Sequence, residues 1–242
     1  MRIDAIIQAR MGSTRLPGKV LLKVCGKTML EHLLERLKCA QRLSATIVAT
    51  STASQDDAIE GELKRLNTPC FRGSEEDVLT RYAGAARQFP ADAYVRITAD
   101  CPLFDPQLLD RMIERFAEVA CDYLSNILER TYPRGLDAEI FKSAVLEEAN
   151  VGATRAHERE HVTPYIIEHT ERFRLASFRG QEDFSHYRWT LDTPEDLQLI
   201  RAIYEALYPR NPHFSTEDVL KLLAERPELA KLNAHIEQKK VQ

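Results

Sequence analysis

The hydrophobic pattern of the first half of the chain alternates between two periods. Short apolar or β-branched runs fall at residues 3–8, 45–51, 70–72 and 93–98. Such runs suit strands buried on both faces. Between them, apolar residues recur three and four apart, as in Met29, Leu33, Leu34 and Leu37 of the 29–40 stretch. That spacing gathers apolar side chains on one face of a helix. Further helices are expected over 55–66, from the GSEED run at 73–77 to about Gln88, and over 106–119. Asp56 and Asp57 suit the first turn of one, and Pro106 opens another. Strand–helix alternation of this kind predicts a mostly parallel sheet with helices on both faces and right-handed crossovers.

The rhythm changes over 121–184. YLSNIL at 123–128 reads as strand, and the turn-rich RTYPRGLDAEIF at 130–141 feeds a short segment at 139–141. Residues 143–150 and 154–170 have helical spacing, and RLASFR at 174–179 reads as strand. This region is expected to be an inserted lid and dimerisation segment. YRWTLDTPED at 187–196 then returns to the main sheet, with a strand ending at Leu191, a turn at Asp192 and a helix from Pro194 to Leu207. Two short helices separated at Pro227 complete the 210–242 portion. The whole of 1–242 is expected to form one domain with these additions.

Composition narrows the class. The chain has 242 residues, 44% hydrophobic and 29% charged, which suits a globular protein with a sizeable core. Its formal net charge of -4 argues against a nucleic-acid surface. Five scattered cysteines without a CxxC pair argue against a disulfide framework and a zinc site. Reduced thiols and the absence of a signal-like or membrane-length apolar run lead us to expect a cytoplasmic location. Cys101 stands apart because it follows Asp100 in a candidate site loop.

The densest chemistry lies in IIQARMGSTRLPGK, residues 6–19. A strand would deliver Arg10, Arg15 and Lys19, with backbone N–H groups of a glycine-containing loop, to the carboxyl edge of the sheet. Oriented amides and fixed cations suit a triphosphate, and open α/β sheets bind ligands at that edge. The loop is not a Walker A motif: five residues separate Gly12 from Gly18, and Val20 follows Lys19. Two aspartates, Asp100 in TADCPLFDP and Asp192 in TLDTPED, each follow a strand. Either can be a helix N-cap, in competition with Asp105 and Thr193, or the two can share a hard cation such as Mg²⁺. HEREH at 157–161 matches the H-E-x-x-H zinc pattern, but its charged flanks and Pro164 favour a solvated or substrate-facing helix. Arg134, Arg159 and Arg188 could each clamp a carboxylate. Trp189 is expected in the core.

IIQARMGSTRLPGKVL, FRGSEEDVLTRY, VRITADCPLFDP and WTLDTPEDL resemble the cytidylyltransferases that make CMP-activated sugar acids, in particular the branch similar to spore-coat polysaccharide cytidylyltransferases. The likeness runs from Ile3 to about Leu207. It implies a Rossmann-like, glycosyltransferase-A-like three-layer fold. It also implies Mg²⁺-dependent transfer of CMP from CTP to an acidic sugar such as a nonulosonic acid or Kdo, releasing pyrophosphate. By position, it implies nucleotide contacts at Ala9, Arg10, Gly12, Ser13, Arg15, Lys19, Arg72, Gly73, Ser74 and Asp100. Arg10, Lys19 and Asp100 would be catalytic, and Asp100 and Asp192 would hold Mg²⁺. Pro133, Gly135, Asp137, Glu139, His161, Tyr165 and Arg188 would face the acceptor. The implied partners are CTP, the sugar acid and a second copy of the chain, with neither nucleic acid nor membrane. One departure is visible: CMP-Kdo synthetases carry glutamine–glycine before the first metal-binding Asp, whereas this chain has Thr98–Ala99. Two other readings stay open, namely a nucleotidyltransferase or glycosyltransferase with another nucleotide or a phosphonate acceptor, and a non-catalytic nucleotide-binding module.

Overall fold

A computed structural model describes residues 1–238; residues 239–242 of the expected C-terminal portion lie outside the described residues. The chain runs through β1 (Ile3–Gln8), a hairpin of β2 (Lys23–Val24) and β3 (Lys27–Thr28), α1 (Met29–Leu37), β4 (Ala45–Ser51), α2 (Asp57–Arg65), β5 (Cys70–Gly73), α3 (Val78–Gln88), β6 (Ala93–Thr98) and α4 (Pro106–Glu118). It continues through β7 (Tyr123–Ser125), β8 (Glu139–Lys142), α5 (Ser143–Gly152), α6 (Ala156–His161), α7 (Pro164–Glu168) and β9 (Leu175–Ser177). Three helices follow, α8 (Pro194–Leu207), α9 (Thr216–Glu225) and α10 (Pro227–Ala230).

Seven strands form one sheet in the order β5-β4-β1-β6-β8-β7-β9. The pairs β1–β4, β1–β6, β4–β5 and β7–β9 are parallel. Only β8 runs antiparallel to its neighbours, β6 and β7. Alternation along β1 explains the layers. Ile3, Ala5 and Ile7 point to one face, where Leu33 of α1, Met112 of α4, Ile200 of α8 and Leu223 of α9 complete a core. Ile6 points to the other, with Leu79 of α3, Leu146 of α5 and Ile166 of α7. The sandwich therefore has three layers, as expected. Gln8 pairs with Ala49 on one side and Thr98 on the other. Three parallel strands thus end at one level, and the loops that leave them meet there.

The structure departs from the sequence pattern in three places. The 121–184 region is woven into the sheet: it supplies β7, β8 and β9. The expected helix over 154–170 is broken at Val162, whose φ of +74° and following Pro164 separate α6 from α7. The stretch before Asp192 forms no ladder strand; it is held by single bonds from Trp189 N to Arg134 O (2.6 Å) and from Leu191 N to Asp100 O (2.8 Å).

Asp105, 2% exposed, joins two of the layers' helices. It caps α4 by accepting from the amides of Gln107 and Leu108, and it accepts from the Thr216 hydroxyl at 2.6 Å at the start of α9. Burial by itself would raise its carboxyl, but the bonds from Thr216 and Gln107 outweigh burial and hold it below the usual carboxylate value. A depressed folded value means that the ionised form stabilises the fold above the unfolded carboxylate value of about 3.9. That contribution fades as pH falls from there through the folded value. In denaturant titrations, the stability gap between wild type and Asp105→Asn should be widest near neutral pH and should narrow below about pH 4.

Candidate active site

The loop after β1 is shaped by a buried carboxylate from elsewhere. Asp56 accepts from the Met11 amide at 2.7 Å and from the Ser51 hydroxyl at 2.5 Å, so it ties the β1 loop to the end of β4. Gly18 turns the chain back with φ of +66°, and its amide bonds Met11 O at 3.1 Å. A side chain would be strained in that left-handed conformation. Among the described residues, no protein acceptor takes the amides of Gly12, Thr14 and Arg15. Those groups remain available to an anion.

A cleft of about 310 Å³ opens there, lined by the 8–20 loop, the end of β6 and Asp192. At its centre Lys19 Nζ lies 2.7 Å from Asp100 Oδ2 and 2.7 Å from Asp192 Oδ1. Arg15 adds a contact to Asp192 Oδ2 at 3.1 Å. Arg10, exposed, enters no ion pair among the described residues. Thr98 Oγ1 donates to Asp100 Oδ1 at 2.5 Å and fixes that carboxylate's rotation. Burial alone would lower the Lys19 ammonium, but Asp100 and Asp192 outweigh it and hold the group above its ordinary value. Burial would likewise raise Asp192, yet Lys19, Arg15 and Arg188 keep it below the usual range. Lys19 and Asp192 therefore stay charged at neutral pH.

The two capping alternatives are resolved by position. Asp105 caps α4 and Thr193 caps α8, so neither Asp100 nor Asp192 has that role. Both are free to face the cleft, with Lys19 held between them. An oxygen donor pair converging on one cation position suits a hard divalent ion completed by phosphate and water ligands. Among the described residues no third acidic, His or Cys side chain joins them. Cys101, beneath this point, is buried, which pushes its thiol well above the ordinary value. In the HEREH stretch His157 bonds Glu168 at 3.1 Å, and no group of three or more His, Cys, Asp or Glu placed to hold a metal ion occurs among the described residues.

Of the residues the resemblance implied, the cleft brings together Ala9, Arg10, Gly12, Ser13, Arg15, Lys19, Asp100 and Asp192. It adds Gln8 and Thr14, which motif reading did not single out, and Thr98 and Ala99, noted there only as a departure from the CMP-Kdo synthetases. Several others point elsewhere. Arg72 braces the start of α2 through Ser51 O, Ala53 O, Asp57 and Glu60. Gly73 lies over Arg81, and the Ser74 hydroxyl accepts from the Asp77 amide. Asp137 is held by both terminal nitrogens of Arg130, at 2.6 and 3.0 Å. Arg159 is committed to Asp77 and Asn150. Tyr165 is buried against Phe173, and its hydroxyl takes a bond from Arg172. His161 ends α6 and does not line the cleft.

Glu139 requires a correction to the expected acceptor role. It is 2% exposed, accepts from Tyr123 and Thr163 at 2.6 Å each, and pairs with Arg96. A carboxylate so enclosed has no oxygen left to offer a sugar. Arg188 needs one as well. Its guanidinium is buried between Asp192 (2.9 Å) and Asp196 (2.9 Å), so it steadies the site and does not reach an acceptor. Pro133 and Gly135 belong to a loop that holds the 187–190 segment in place. Gly135 has φ of +101°, and a Cβ there would lie 2.5 Å from the carbonyl carbon of Trp189. Sequence reasoning missed Asp56, which read as an ordinary first-turn acid, and did not single out Asp196.

A loop of cations and unpartnered amides at the carboxyl edge of a mostly parallel sheet, with paired acids facing it, suits a nucleotide-handling α/β enzyme. A family model of cytidylyltransferases matches residues 5–231, and the chain belongs to that family and to the nucleotidyltransferases. It is 35% identical over 232 residues to the spore coat polysaccharide biosynthesis protein SpsF of Bacillus subtilis, covering 93% of this chain and 95% of that one. It superposes on the structure of a cytidylyltransferase from Leptospira borgpetersenii with a TM-score of 0.91 and 35% identity, over 99% of both chains. A CMP:2-keto-3-deoxy-manno-octonic acid synthetase complexed with CTP shares the fold, with a TM-score of 0.66 and 18% identity over 85% of this chain and 99% of its own. No helix among the described residues is long and apolar enough to cross a membrane.

The buried Arg96–Glu139 pair supplies a test of the corrected role. Glu139→Gln should cost about 3–5 kcal/mol of stability, because it leaves a buried guanidinium without its counter-charge. Chemical denaturation measures this. Unchanged stability with a raised KM for the acceptor would return Glu139 to the acceptor site.

Proposed function

We propose that the protein transfers CMP from CTP to a hydroxyl of an acidic sugar, a 2-keto sugar acid such as a nonulosonic acid or Kdo, and releases pyrophosphate. The observation that carries this reading is the Lys19 ammonium held between Asp100 and Asp192 at the mouth of an amide-lined loop. Arg10, Arg15 and the unpartnered amides of the 8–20 loop would hold the β- and γ-phosphates. Lys19 would meet the charge that develops as the bond from the α-phosphorus to the bridging oxygen breaks. The acceptor hydroxyl attacks that phosphorus in line, and pyrophosphate leaves with the electron pair. Most of the rate would come from positioning and charge neutralisation. Asp100 and Asp192 would hold Mg²⁺, which when bound neutralises the α-phosphate and lowers the pKa of the acceptor hydroxyl.

Likeness to SpsF and to a CTP-bound 2-keto-3-deoxy-manno-octonic acid synthetase supports the sugar acid as acceptor. So does Arg134. Its guanidinium enters no ion pair among the described residues and lies near Arg188, which suits an acceptor carboxylate. Arg72, Gly73 and Ser74 would sit beside the base through their backbone. The 121–184 region would also join two copies into a dimer in the cytoplasm, and β9 leaves one sheet edge open for this.

Calorimetric titration with CTP, UTP, GTP and ATP, each with and without Mg²⁺, followed by pyrophosphate release with a panel of sugar acids, tests the reading. CTP should bind selectively and more tightly with Mg²⁺. Asp100→Ala should lose that gain and slow turnover by about 10²–10³-fold. Equal affinity for all four nucleotides would sink the CTP assignment. Sedimentation at micromolar concentration should show a dimer.

A further inference from the structure

We propose that Asn233, in the segment after α10, is a positioning residue for the transfer site and acts on Asp192 through Asp196 and Arg188. The inference rests on the reading of Asp192 as a group of that site. It concerns a residue beyond 231, where the match to the family model ends.

The contact chain is continuous and buried. Asp196 is fully buried and accepts from five N–H groups: Arg188 Nε and Nη2, the amides of Asp192 and Thr193, and Asn233 Nδ2, all between 2.8 and 3.0 Å. It therefore fixes the backbone at Asp192 and the plane of the Arg188 guanidinium together. Arg188 Nη2 then reaches Asp192 Oδ2 at 2.9 Å, and the other oxygen of Asp192 meets Lys19. Asn233, 2% exposed, uses one amide nitrogen on Arg188 O and Asp196 Oδ1, both at 2.8 Å. That nitrogen pins the backbone and the carboxylate on either side of the Arg188 head group. Gln238 accepts from Arg188 Nη1 at 2.7 Å, so the same terminal segment touches Arg188 at a second point, its guanidinium.

Two consequences separate this arrangement from simple packing. Arg188 Nη2 is shared between Asp192 and Asp196, so any shift of Asp196 changes the share that Asp192 receives. The remaining Asn233 contacts are local backbone turns, such as Ile236 N to Asn233 O at 3.0 Å. Its amide is therefore spent on the network behind the cleft. Buried networks of this type respond strongly to loss of one member. Removing the Asn233 donor should tilt the Asp192 carboxylate while Asp56 keeps its hold on the backbone of the 8–20 loop.

The test compares wild type with Asn233→Asp, which keeps the shape and removes the donor, with Asn233→Ala as the second variant should the first fail to fold. Leu63→Ala, in the core beneath α2 and remote from the network, serves as a control for lost stability. Hydrogen exchange should show the Asp192 and Thr193 amides at least tenfold less protected in the Asn233 variants, relative to global stability, and unchanged in the control. With CTP and an accepted sugar acid, kcat should fall about tenfold while KM for CTP stays within twofold. Unchanged amide protection in both Asn233 variants would overturn the proposal. If wild type binds no CTP, the proposed function fails, and the exchange measurement still decides the role of Asn233.

Discussion

Everything at the cleft depends on one contact, the Lys19 ammonium held at 2.7 Å by both Asp100 and Asp192. Its partners lie 81 and 173 residues away, so this contact joins the first loop to the end of β6 and to the start of α8. Two carboxylates that converge on one point repel unless a cation stands between them. In the free protein a lysine fills that position. Under the proposed function, phosphate arriving with a divalent ion would offer all three groups new partners of the right sign, so that binding would exchange one set of ion pairs for another.

The supporting structure repeats one device. Buried acids outside the cleft hold helices and cleft-lining segments in place. Asp56 fixes the β1 loop, Asp105 fixes α4 against α9, and Asp196 fixes the turn that carries Asp192. Each accepts hydrogen bonds from backbone amides, and at Asp105 its hydrogen bonds outweigh burial and favour the ionised form. Loops placed in this way need no regular secondary structure. The stretch before Asp192 shows this: it runs beside Arg134 and Asp100 by single bonds and never joins the ladder.

Much of this was legible in the sequence, for identifiable reasons. The parallel strands announced themselves because burial on both faces demands continuous apolar runs. Arg10, Lys19, Asp100 and Asp192 were legible because charge placed directly after such a run must emerge at the sheet edge. The hairpin of β2 and β3 escaped because strands of two residues carry no period. Over 121–184 the strands are three or four residues long, too short to show that they join the central sheet. Glu139 and Arg188 looked like ligands for a sugar because their partners, Arg96, Tyr123 and Asp196, lie on other elements, and single-sequence spacing does not reveal those meetings. Asp56 was hidden for the opposite reason: a first-turn acid already has a sufficient local explanation.

The chain holds a single tryptophan, and its place gives the molecule an optical property of its own. Trp189 is 1% exposed, stacks on Tyr187 at 6.0 Å, and sits between the backbone of Gly135 and the start of the Asp192 turn. Among the described residues its indole N–H has no protein partner. All tryptophan emission from this protein therefore originates three residues from the paired acids, in surroundings that change whenever that turn moves. Intrinsic fluorescence is thus a label-free gauge of the cleft, already built into the wild-type chain.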